Sequence, residues 1–486
     1  MKTTSLVTRS LFLLLNTALS QIHYDTIGWT TRDRQFLGPA LRYIYNDPQR
    51  GVHAIYKDGY GAIRYNFKPR DGDWQSDSGF LVNHYQRNLG CMDVDITSGQ
   101  AIISSDYLSR GKRVSSYFRD SVCGAGVFQE TDVLAGLQYN LVACARYGYP
   151  RFAAIRNDSL IYNGLWSGRN LGPIGPFPLH NIIASKISPR LGFIWTEYHS
   201  KKLYFRETPD GGGTWYATRS LSDSVPSNFN RALFGASGVY DSIQPHLVID
   251  FFDGTDRGKV QLWHYCQYQT PAWSFITQFE FLDTTKLGRH TAGIDRASIG
   301  ITRYGTGSDS NRLYVIWEQF EPDNIDPATG IARADIWASF SPDNGRSWCP
   351  RIRLTQPDQT SKRFPYLAEV VNDTLHIIYF ADQCAGTWEL GEGEMTENPV
   401  VYLKVPVEIF STGIIEAPEV SRMNFNLPTV VSRQNLYRIL SPIPDVRLFD
   451  SLGRSYQIER GSDLLPGVYF VQTATPPHIF RVVVLP

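Results

Sequence analysis

The chain has 486 residues, and its 47 lysines and arginines balance 47 aspartates and glutamates, so the formal net charge at pH 7 is zero. This balance excludes the basic surplus that is typical of proteins that bind nucleic acid or anionic membranes. The 40 glycines, 27 tyrosines, 26 phenylalanines and 11 tryptophans favour strands and turns over helices.

The first 20 residues have the composition of an export signal. Lys2 and Arg9 supply positive charge, residues 11–15 are a short apolar run, and residues 18–20 offer small side chains at a cleavage position. We expect a mature chain that begins near Gln21 and is secreted or held at the cell surface. A mildly apolar terminus that is not cleaved is the alternative. No other segment approaches the ~20 apolar residues of a membrane-spanning helix.

The cysteines and acidic runs do not form a recognisable metal site. The six cysteines are far apart and contain no Cys-x-x-Cys pair, which argues against zinc. In an exported chain some of them can oxidise, and Cys123 with Cys144 is one candidate pair. The run from Asp323 to Asp326 has oxygen ligands for Ca²⁺ but lacks the full set of a loop site. We therefore predict neither a metal nor a cofactor.

Two recurring marks indicate repeated units. One is a tryptophan at the end of a turn-rich stretch, and the other is a proline before an apolar run, where it suits the first residue of a strand. The tryptophans are Trp74, Trp166, Trp215, Trp273 and Trp348, and the prolines are Pro39, Pro150, Pro245 and Pro365. Their spacing predicts units of roughly 45–75 residues.

Alternating apolar runs within each unit, such as residues 52–56 and 375–380, predict short buried strands. We predict an all-β fold, a six- or seven-bladed β-propeller, because radial packing of four-stranded sheets buries both faces and protects the edges. The repeat count favours seven blades. They start near residues 37, 88, 139, 180, 240, 294 and 362. A β-sandwich array is the alternative.

Two of the turns share one residue pattern: hydroxyl, any, Asp, any, Gly, any, hydroxyl, Trp. The first has Thr208, Asp210, Gly212, Thr214 and Trp215, and the second has Ser341, Asp343, Gly345, Ser347 and Trp348. The aspartate accepts backbone N–H groups, the glycine takes a positive φ, and the tryptophan anchors the turn to the core. The pattern resembles the Asp box, or BNR repeat, of sialidase-like β-propellers. That resemblance implies a structural role for both turns, away from any active site.

Ligands of a propeller usually meet the mouth of its central channel, where the residues just before each innermost strand point. Two positions before Pro365 stands Arg363, and Arg296 has the same offset from Ser298. Because an arginine holds a planar carboxylate by two parallel hydrogen bonds, we predict that Arg296 and Arg363 bind ligand. The alternative is that they pair with acids such as Asp295 and Glu369 on a solvated rim.

Arg363-Phe364-Pro365 also resembles the Arg-x-Pro motif with which sialidases grip the sugar carboxylate. In that family the motif lies in the first blade, whereas here it lies in the last, and the family's other catalytic residues have no counterpart that spacing identifies. Paired carboxylates can hydrolyse glycosides when they lie ~5–10 Å apart. The candidate catalytic acids are Asp295, Glu318, Asp335 and Asp382. Acids at strand ends are also common as solvated loop residues.

The last part of the chain follows a different pattern. Residues 408–434 predict a linker, and residues 435–486 predict a small β-sandwich with an Asp-x-x-Gly-Arg turn at 450–454 and a Leu-Pro-Gly-Val-Tyr segment at 465–469. This unit resembles the C-terminal sorting domain of type IX secretion cargo, although the chain has no terminal lysine. The resemblance implies passage across an outer membrane and contact with the secretion machinery.

These observations divide the chain into a signal peptide (1–20), a propeller (37–407), a linker (408–434) and a sorting domain (435–486). Because the sialidase residue set is incomplete, we favour a non-catalytic binding or adhesion scaffold whose partners are glycans or surface proteins. A diverged sialidase-like glycoside hydrolase that acts on a carboxylate-bearing glycan is the alternative.

Overall fold

The structure is a computed structural model. It describes residues 22–35, 41–83, 90–109, 112–135, 137–145, 150–163, 168–175, 179–302, 312–410, 430–432, 446–450, 455–456, 467–474 and 477–485. The signal peptide and most of the linker that the sequence predicts lie outside these residues. The chain divides into two compact units, Met1–Ile415 and Glu416–Pro486. Within the described ranges, none of the helices has the length and apolar character that a membrane crossing requires.

The first unit is a seven-bladed β-propeller, which confirms the predicted all-β fold and the count of seven. Its first strand is β1 (His23–Thr30), which returns below. Blades 1 to 3 contain β2 (Ile44–Asp47), β3 (Gly51–Lys57), β4 (Ile63–Pro69) and β5 (Phe80–Leu81); β6 (Gly90–Val94), β7 (Ala101–Ser109), β8 (Lys112–Asp120) and β9 (Phe128–Ala135); and β10 (Gln138–Cys144), β11 (Pro150–Arg156), β12 (Ser159–Asn163) and β13 (Gly168–Pro173).

Blades 4 to 6 follow the same order. They contain β14 (His180–Ala184), β15 (Leu191–Thr196), β16 (Leu203–Thr208) and β17 (Arg219–Ser220); β18 (Arg231–Tyr240), β19 (Pro245–Phe252), β20 (Lys259–Tyr265) and β21 (Trp273–Glu280); and β22 (Ile294–Thr302), β23 (Leu313–Ile325), β24 (Ala332–Ser341) and β25 (Ile352–Arg353). Short 3-10 helices span Thr284–Lys286, Trp388–Leu390 and Val407–Phe410.

The seventh blade joins the two ends of the propeller. Three strands follow blade 6: β26 (Ser361–Leu367), β28 (Thr374–Asp382) and β29 (Asn398–Pro406). Strand β27 (Val370–Val371), between them in the chain, pairs with β22 of blade 6. The outermost place in blade 7 belongs to β1, which runs antiparallel to β29 from His23–Lys404 to Thr30–Asn398. The predicted propeller start at residue 37 is therefore too late, because β1 completes the ring.

The strands form because their apolar residues are covered on both faces. Strand β19 is buried at all eight positions, since blades 4 and 6 pack against its two sides. Near the axis, the buried Arg42 guanidinium crosses to three innermost strands, where it donates to the carbonyls of Met92, Val142 and Ile182. One side chain thus ties blades 2, 3 and 4 together at the centre.

Each of the two turns that share the Asp-x-Gly-x-hydroxyl-Trp pattern connects the third and fourth strands of its blade. In the second turn, Asp343 Oδ1 accepts hydrogen bonds from Ser341 Oγ and the Ser347 backbone N–H, both at 2.8 Å, and its Oδ2 accepts one from Ser347 Oγ. Gly345 has a φ of 85°, which suits glycine. Asp210 makes equivalent bonds with Thr208 and Thr214 in the first turn.

The tryptophans after these turns pack against the preceding blade. The Trp215 ring lies 5.3 Å from that of Tyr162 in blade 3, and the Trp348 ring lies 5.6 Å from that of His264 in blade 5. Trp74 packs edge-on against Tyr402 of blade 7 at 5.1 Å. The repeated tryptophan therefore fills the space between neighbouring blades. Trp166 lies outside the described residues.

The second unit contains five described strands in one sheet, of order β30-β34-β33-β31-β32. They are β30 (Val430–Ser432), β31 (Val446–Asp450), β32 (Ser455–Tyr456), β33 (Gly467–Ala474) and β34 (Pro477–Leu485). The predicted strands of the sorting domain correspond to β31, β33 and β34. The turn at 451–454 lies outside the described residues, and the sandwich and its sorting role stay predictions.

Candidate functional site

A cavity of about 230 Å³ opens at one end of the propeller, over blades 4 to 7. This is the end at which the innermost strands begin. The turn that begins at Ser341 lies at the other end, because Ser341 pairs with Leu313 and Leu313 with Ile301, whereas Asp295 pairs with Glu318 at the opposite end of the same sheet. The cavity is therefore built by the starts of innermost strands, by the segments that precede them and by connections between second and third strands.

The two predicted arginines enter the cavity from matching bulges in β22 and β26. Between Asp295 and Ser298, and again between Arg363 and Tyr366, the inner strand has one more residue than its partner. Asp295 is thus the structural equivalent of Arg363, and Arg296 the equivalent of Phe364. The predicted offset from the proline is wrong by one residue.

The alignment of the blades on the proline before each apolar run does not always identify the innermost strand. Pro150 and Pro245 begin β11 and β19, which are second strands of their blades and not the innermost ones. A proline suits the first residue of any strand whose N–H is not needed, so it does not distinguish an inner strand from its neighbour. Pro39 lies outside the described residues.

Arg296 is enclosed by protein and is not free to grip a ligand. Its Nη1 lies 2.7 Å from Asp295 Oδ2 and 2.5 Å from Glu318 Oε1. The guanidinium is stacked between Phe234 of blade 5 and Phe364 of blade 7, at 4.7 and 4.5 Å from the ring centres. Arg296 also has a positive φ of 51°, which the bulge requires. Asp295 and Glu318 therefore neutralise its charge within the floor of the cavity.

Arg363 shares a carboxylate with Arg296 but keeps part of its guanidinium available. Its Nε lies 3.4 Å from Glu318 Oε2, while its terminal nitrogens donate to no residue that the structure describes. Arg363 also lines the cavity. Burial alone would raise the pKa of Glu318, but Arg363, Arg296 and the Phe364 N–H hold that pKa below its usual value.

A third carboxyl completes this buried network. Asp250 of β19 is fully buried, and neither of its oxygens receives a hydrogen bond from a described donor. Its polar neighbour is the Asp295 carboxyl, and burial together with that negative charge raises the pKa of Asp250 well above its usual value. Burial raises the pKa of Asp295 to about 7, although Arg296 opposes this change. We assign the proton to Asp250, so two carboxylates balance two arginines.

The other two candidate acids lie away from the cavity wall. Asp335 lies 3.3 Å from Lys362 Nζ and accepts a hydrogen bond from Thr355, so it belongs to an ion pair between blades 6 and 7. Asp382 ends β28 and accepts hydrogen bonds from the Cys384 N–H and from Asn398. Burial raises the pKa of Asp382 to about 7, against the effect of Arg363.

Sequence reasoning missed four basic residues at the mouth of the cavity. They are Arg34, Lys201, Arg289 and His290. The first three form no ion pair with a described residue, although Lys201 lies over the Tyr198 ring at 4.3 Å. Burial and the nearby Arg34 lower the pKa of His290, which keeps the imidazole neutral at pH 7. The position of Lys201 could have been predicted from the sequence, because Lys201 lies on the hairpin between the second and third strands of blade 4. Such a hairpin must lie at the end of the blade where the first strand begins.

The lining favours binding of an anion over hydrolysis. Among the described residues that line the cavity, five carry a positive charge and none is a carboxylate. Leu179, Tyr198 and Leu233 add apolar surface. Hydrolysis of a glycoside needs two carboxyl groups that reach the scissile bond, whereas Asp295 and Glu318 lie under the arginines that they neutralise.

Comparisons with known proteins give structural similarity and no family. No protein-family profile and no curated protein matches the sequence. Similar solved structures include a PL25 ulvan lyase bound to -[GlcA(1-4)Rha3S]-, with 10% identity, a TM-score of 0.49 and coverage of 78% of this chain and 96% of that chain. The BP39L lectin from Burkholderia pseudomallei has 11% identity, a TM-score of 0.44 and coverage of 71% and 92%. The NanB sialidase from Streptococcus pneumoniae has 14% identity, a TM-score of 0.42 and coverage of 79% and 71%.

Proposed function

We propose that this protein is a non-catalytic glycan-binding propeller whose cavity over blades 4 to 7 binds one carboxylate-bearing sugar residue. The observation that carries the proposal is the charge of the lining, which is basic and without a carboxylate among the described residues. Arg363 holds the ligand carboxylate through its terminal nitrogens, and Lys201 and Arg34 add positive charge at the mouth.

The size and the mixed lining support a single sugar residue. The volume of about 230 Å³ lies below the ~300 Å³ at which pockets for drug-sized ligands begin. Sugar rings present both hydroxyl groups and an apolar face, and Tyr198 with Leu233 supplies apolar surface beside the cations. A longer glycan would therefore extend out of the cavity into solvent.

Calorimetric titration with methyl β-glucuronide, and with the neutral methyl β-glucoside, tests the proposal. We expect binding of the acidic sugar only. Lys201→Ala and Arg363→Lys should each weaken it about tenfold or more, since a hydrogen bond to a charged group contributes ~1.5–3 kcal/mol. Lys202→Ala is the matched control, because Lys202 pairs with Asp223 and does not line the cavity. Equal binding of both sugars, or an equal loss in the control, contradicts the proposal.

A sialidase-like hydrolase is the second candidate, and it is supported only by the Arg-x-Pro form of residues 363–365. A panel of fluorogenic glycosides that carry acidic sugars separates the two functions. Turnover that disappears in Glu318→Gln, while binding of methyl β-glucuronide persists, would favour the hydrolase. Binding without turnover in the unmodified protein favours the lectin-like function.

We further propose that the chain is exported and reaches the cell exterior through a type IX-like route. The basic and apolar residues before position 20, and the Asp-x-x-Gly-Arg turn at 450–454, support this proposal. N-terminal sequencing of protein recovered outside the cell should begin near Gln21. Removal of residues 435–486 should leave the propeller trapped inside the outer membrane, and release of the shortened chain would contradict the route.

A further inference from the structure

Arg363 stands at the centre of a group of acids that the proposed binding function does not use. Its guanidinium lies over the rings of Phe320 and Phe364, at 5.1 and 5.0 Å from their centres. Its Nε lies near Glu318 Oε2, and its terminal nitrogens have no hydrogen-bond acceptor among the residues that the structure describes. Arg363 is only 3% exposed but lines the cavity, so its terminal nitrogens are available to a ligand there.

Two buried carboxyl groups on other elements, the flanking acids Asp33 and Asp382, lie near enough to Arg363 for its charge to lower their pKa values, although neither forms an ion pair with it among the described residues. Arg363 pairs with Phe380 across β26 and β28, so Asp382, two residues on, is its diagonal cross-strand neighbour. Asp33 comes from the segment after β1, where its Oδ2 accepts the Trp388 N–H at 2.5 Å. Asp33 Oδ1 and Asp382 Oδ2 are both buried, and neither receives a hydrogen bond from a described donor.

The charges below the cavity balance without these two groups. Arg296 and Arg363 are matched by Asp295 and Glu318, given a protonated Asp250. Ionisation of either flanking acid therefore adds a negative charge that no described arginine balances. That charge would weaken the positive potential that attracts a ligand carboxylate. In agreement, burial raises the pKa of Asp33 to about 6 and that of Asp382 to about 7.

We infer that anion binding at Arg363 is coupled to protonation of Asp33 and Asp382, so that the cavity holds its acidic ligand in mildly acidic medium and releases it as the pH rises. This inference rests on the proposed function of the cavity and adds a means of regulation to it. Each ionised carboxylate weakens the positive potential at the Arg363 guanidinium, and a proton on each removes that negative charge.

The other ionisable groups that face these acids do not oppose the effect. Glu389, which pairs with Arg32 at 3.0 Å, adds negative charge beside Asp33 and favours its protonated form. The Cys384 thiol beside Asp382 stays protonated, because burial raises its pKa. At the mouth, His290 faces Arg34, Arg257 and Arg296 and gains its charge only in acid, which also favours an anion.

Calorimetric titration of the full chain with methyl β-glucuronide between about pH 5 and about pH 8 tests this coupling. The affinity should fall by up to about tenfold per pH unit for each coupled proton. Titrations in two buffers with different ionisation enthalpies should show net proton uptake on binding near pH 7. Asp382→Asn keeps the oxygen that accepts from Cys384 and Asn398. It should bind more tightly than the unmodified protein at about pH 8 and take up one proton fewer on binding, while Asp33 maintains the remaining pH dependence.

Asp33→Asn gives the same test if Asp382→Asn does not fold, and Asp358→Asn is the control. Asp358 is an exposed carboxylate that pairs with Lys362 outside the cavity, so its removal should leave the pH dependence unchanged. Binding with a constant Kd, or a pH dependence that neither exchange of a flanking acid alters, overturns the coupling alone. Absence of binding at every pH overturns the proposed function and the coupling together.

Discussion

The exchange of Asp295 for asparagine probes the buried charge network under the cavity. It leaves Arg296 with Glu318 as its one carboxylate, although Glu318 also serves Arg363. Removal of one partner from a buried ion pair costs ~3–5 kcal/mol. A propeller of roughly 380 residues has an unfolding entropy of about 0.8 kcal/mol/K, at ~2.1 cal/mol/K per residue. The melting temperature of Asp295→Asn should therefore fall by roughly 4–6 °C.

Asp250→Asn is the matched variant, and it should behave differently. If Asp250 carries the proton, an asparagine amide can donate to Asp295 in its place, and the change at pH 7 should stay within ~1 kcal/mol. The pKa of Asp250 is raised in the folded state. The unmodified protein thus loses stability as the pH rises above ~4, where the unfolded Asp250 begins to ionise. The variant lacks this loss, so its relative stability should improve with pH.

Differential scanning calorimetry of both variants at several pH values measures these effects. An equal loss of stability in Asp250→Asn and Asp295→Asn at pH 7 would refute the assignment of the proton to Asp250. A loss in Asp250→Asn that grows with pH would refute the sign of its pKa shift. Circular dichroism in the far ultraviolet checks that both variants retain the sheet structure.

Three further exchanges test the parts of the propeller that hold the cavity in place. Asp343→Ala removes the acceptor that closes the turn at residues 341–348, and chemical denaturation should show a loss of ~1–3 kcal/mol with sugar binding unchanged. Gly345→Ala should lower the melting temperature, because its Cβ would lie 2.2 Å from the His264 ring and its φ is 85°; an unchanged value would contradict this geometry. Arg42→Met leaves three carbonyls and part of the Asp93 charge without a partner at the axis, and the melting temperature should fall by several degrees. A rise in the melting temperature would show that an apolar side chain is preferred there.

Much of the fold could be predicted from the sequence, because the tryptophans that recur from blade to blade have a direct physical cause. A tryptophan recurs because each blade needs a large side chain against its neighbour, as Trp215 and Trp348 show. Five of the seven predicted blade starts lie within two residues of the observed first strands, whereas the predicted start at 37 is 7 residues too early and the one at 240 falls on the last residue of β18. The observed first strands begin at Ile44, Gly90, Gln138, His180, Arg231, Ile294 and Ser361. The role of β1 was not accessible, because its partner β29 lies more than 360 residues away and local pattern carries no information on that pairing.

The candidate site was less predictable than the fold. The sequence predicted Arg296 and Arg363 as ligand-binding residues, and both line the cavity. The bulges that align Asp295 with Arg363 have no sequence signal, because they place non-glycine residues at positive φ. Ion pairing decides which arginine is available, and pairing depends on side-chain positions that spacing does not give. The mouth residue Lys201 lies on a hairpin, so strand direction alone would have assigned it to the correct end.

The pairing of β1 with β29 sets when the ring can close during synthesis. The two strands are separated by roughly 370 residues, and bringing such distant ends together costs about 5 kcal/mol of chain entropy by (3/2)RT ln n. Until residues 398–406 have been made, β1 has no partner and the last blade presents an open edge that can pair with another chain. The order of synthesis therefore makes this seam the last part of the propeller to form, and the segment at which premature termination would promote aggregation.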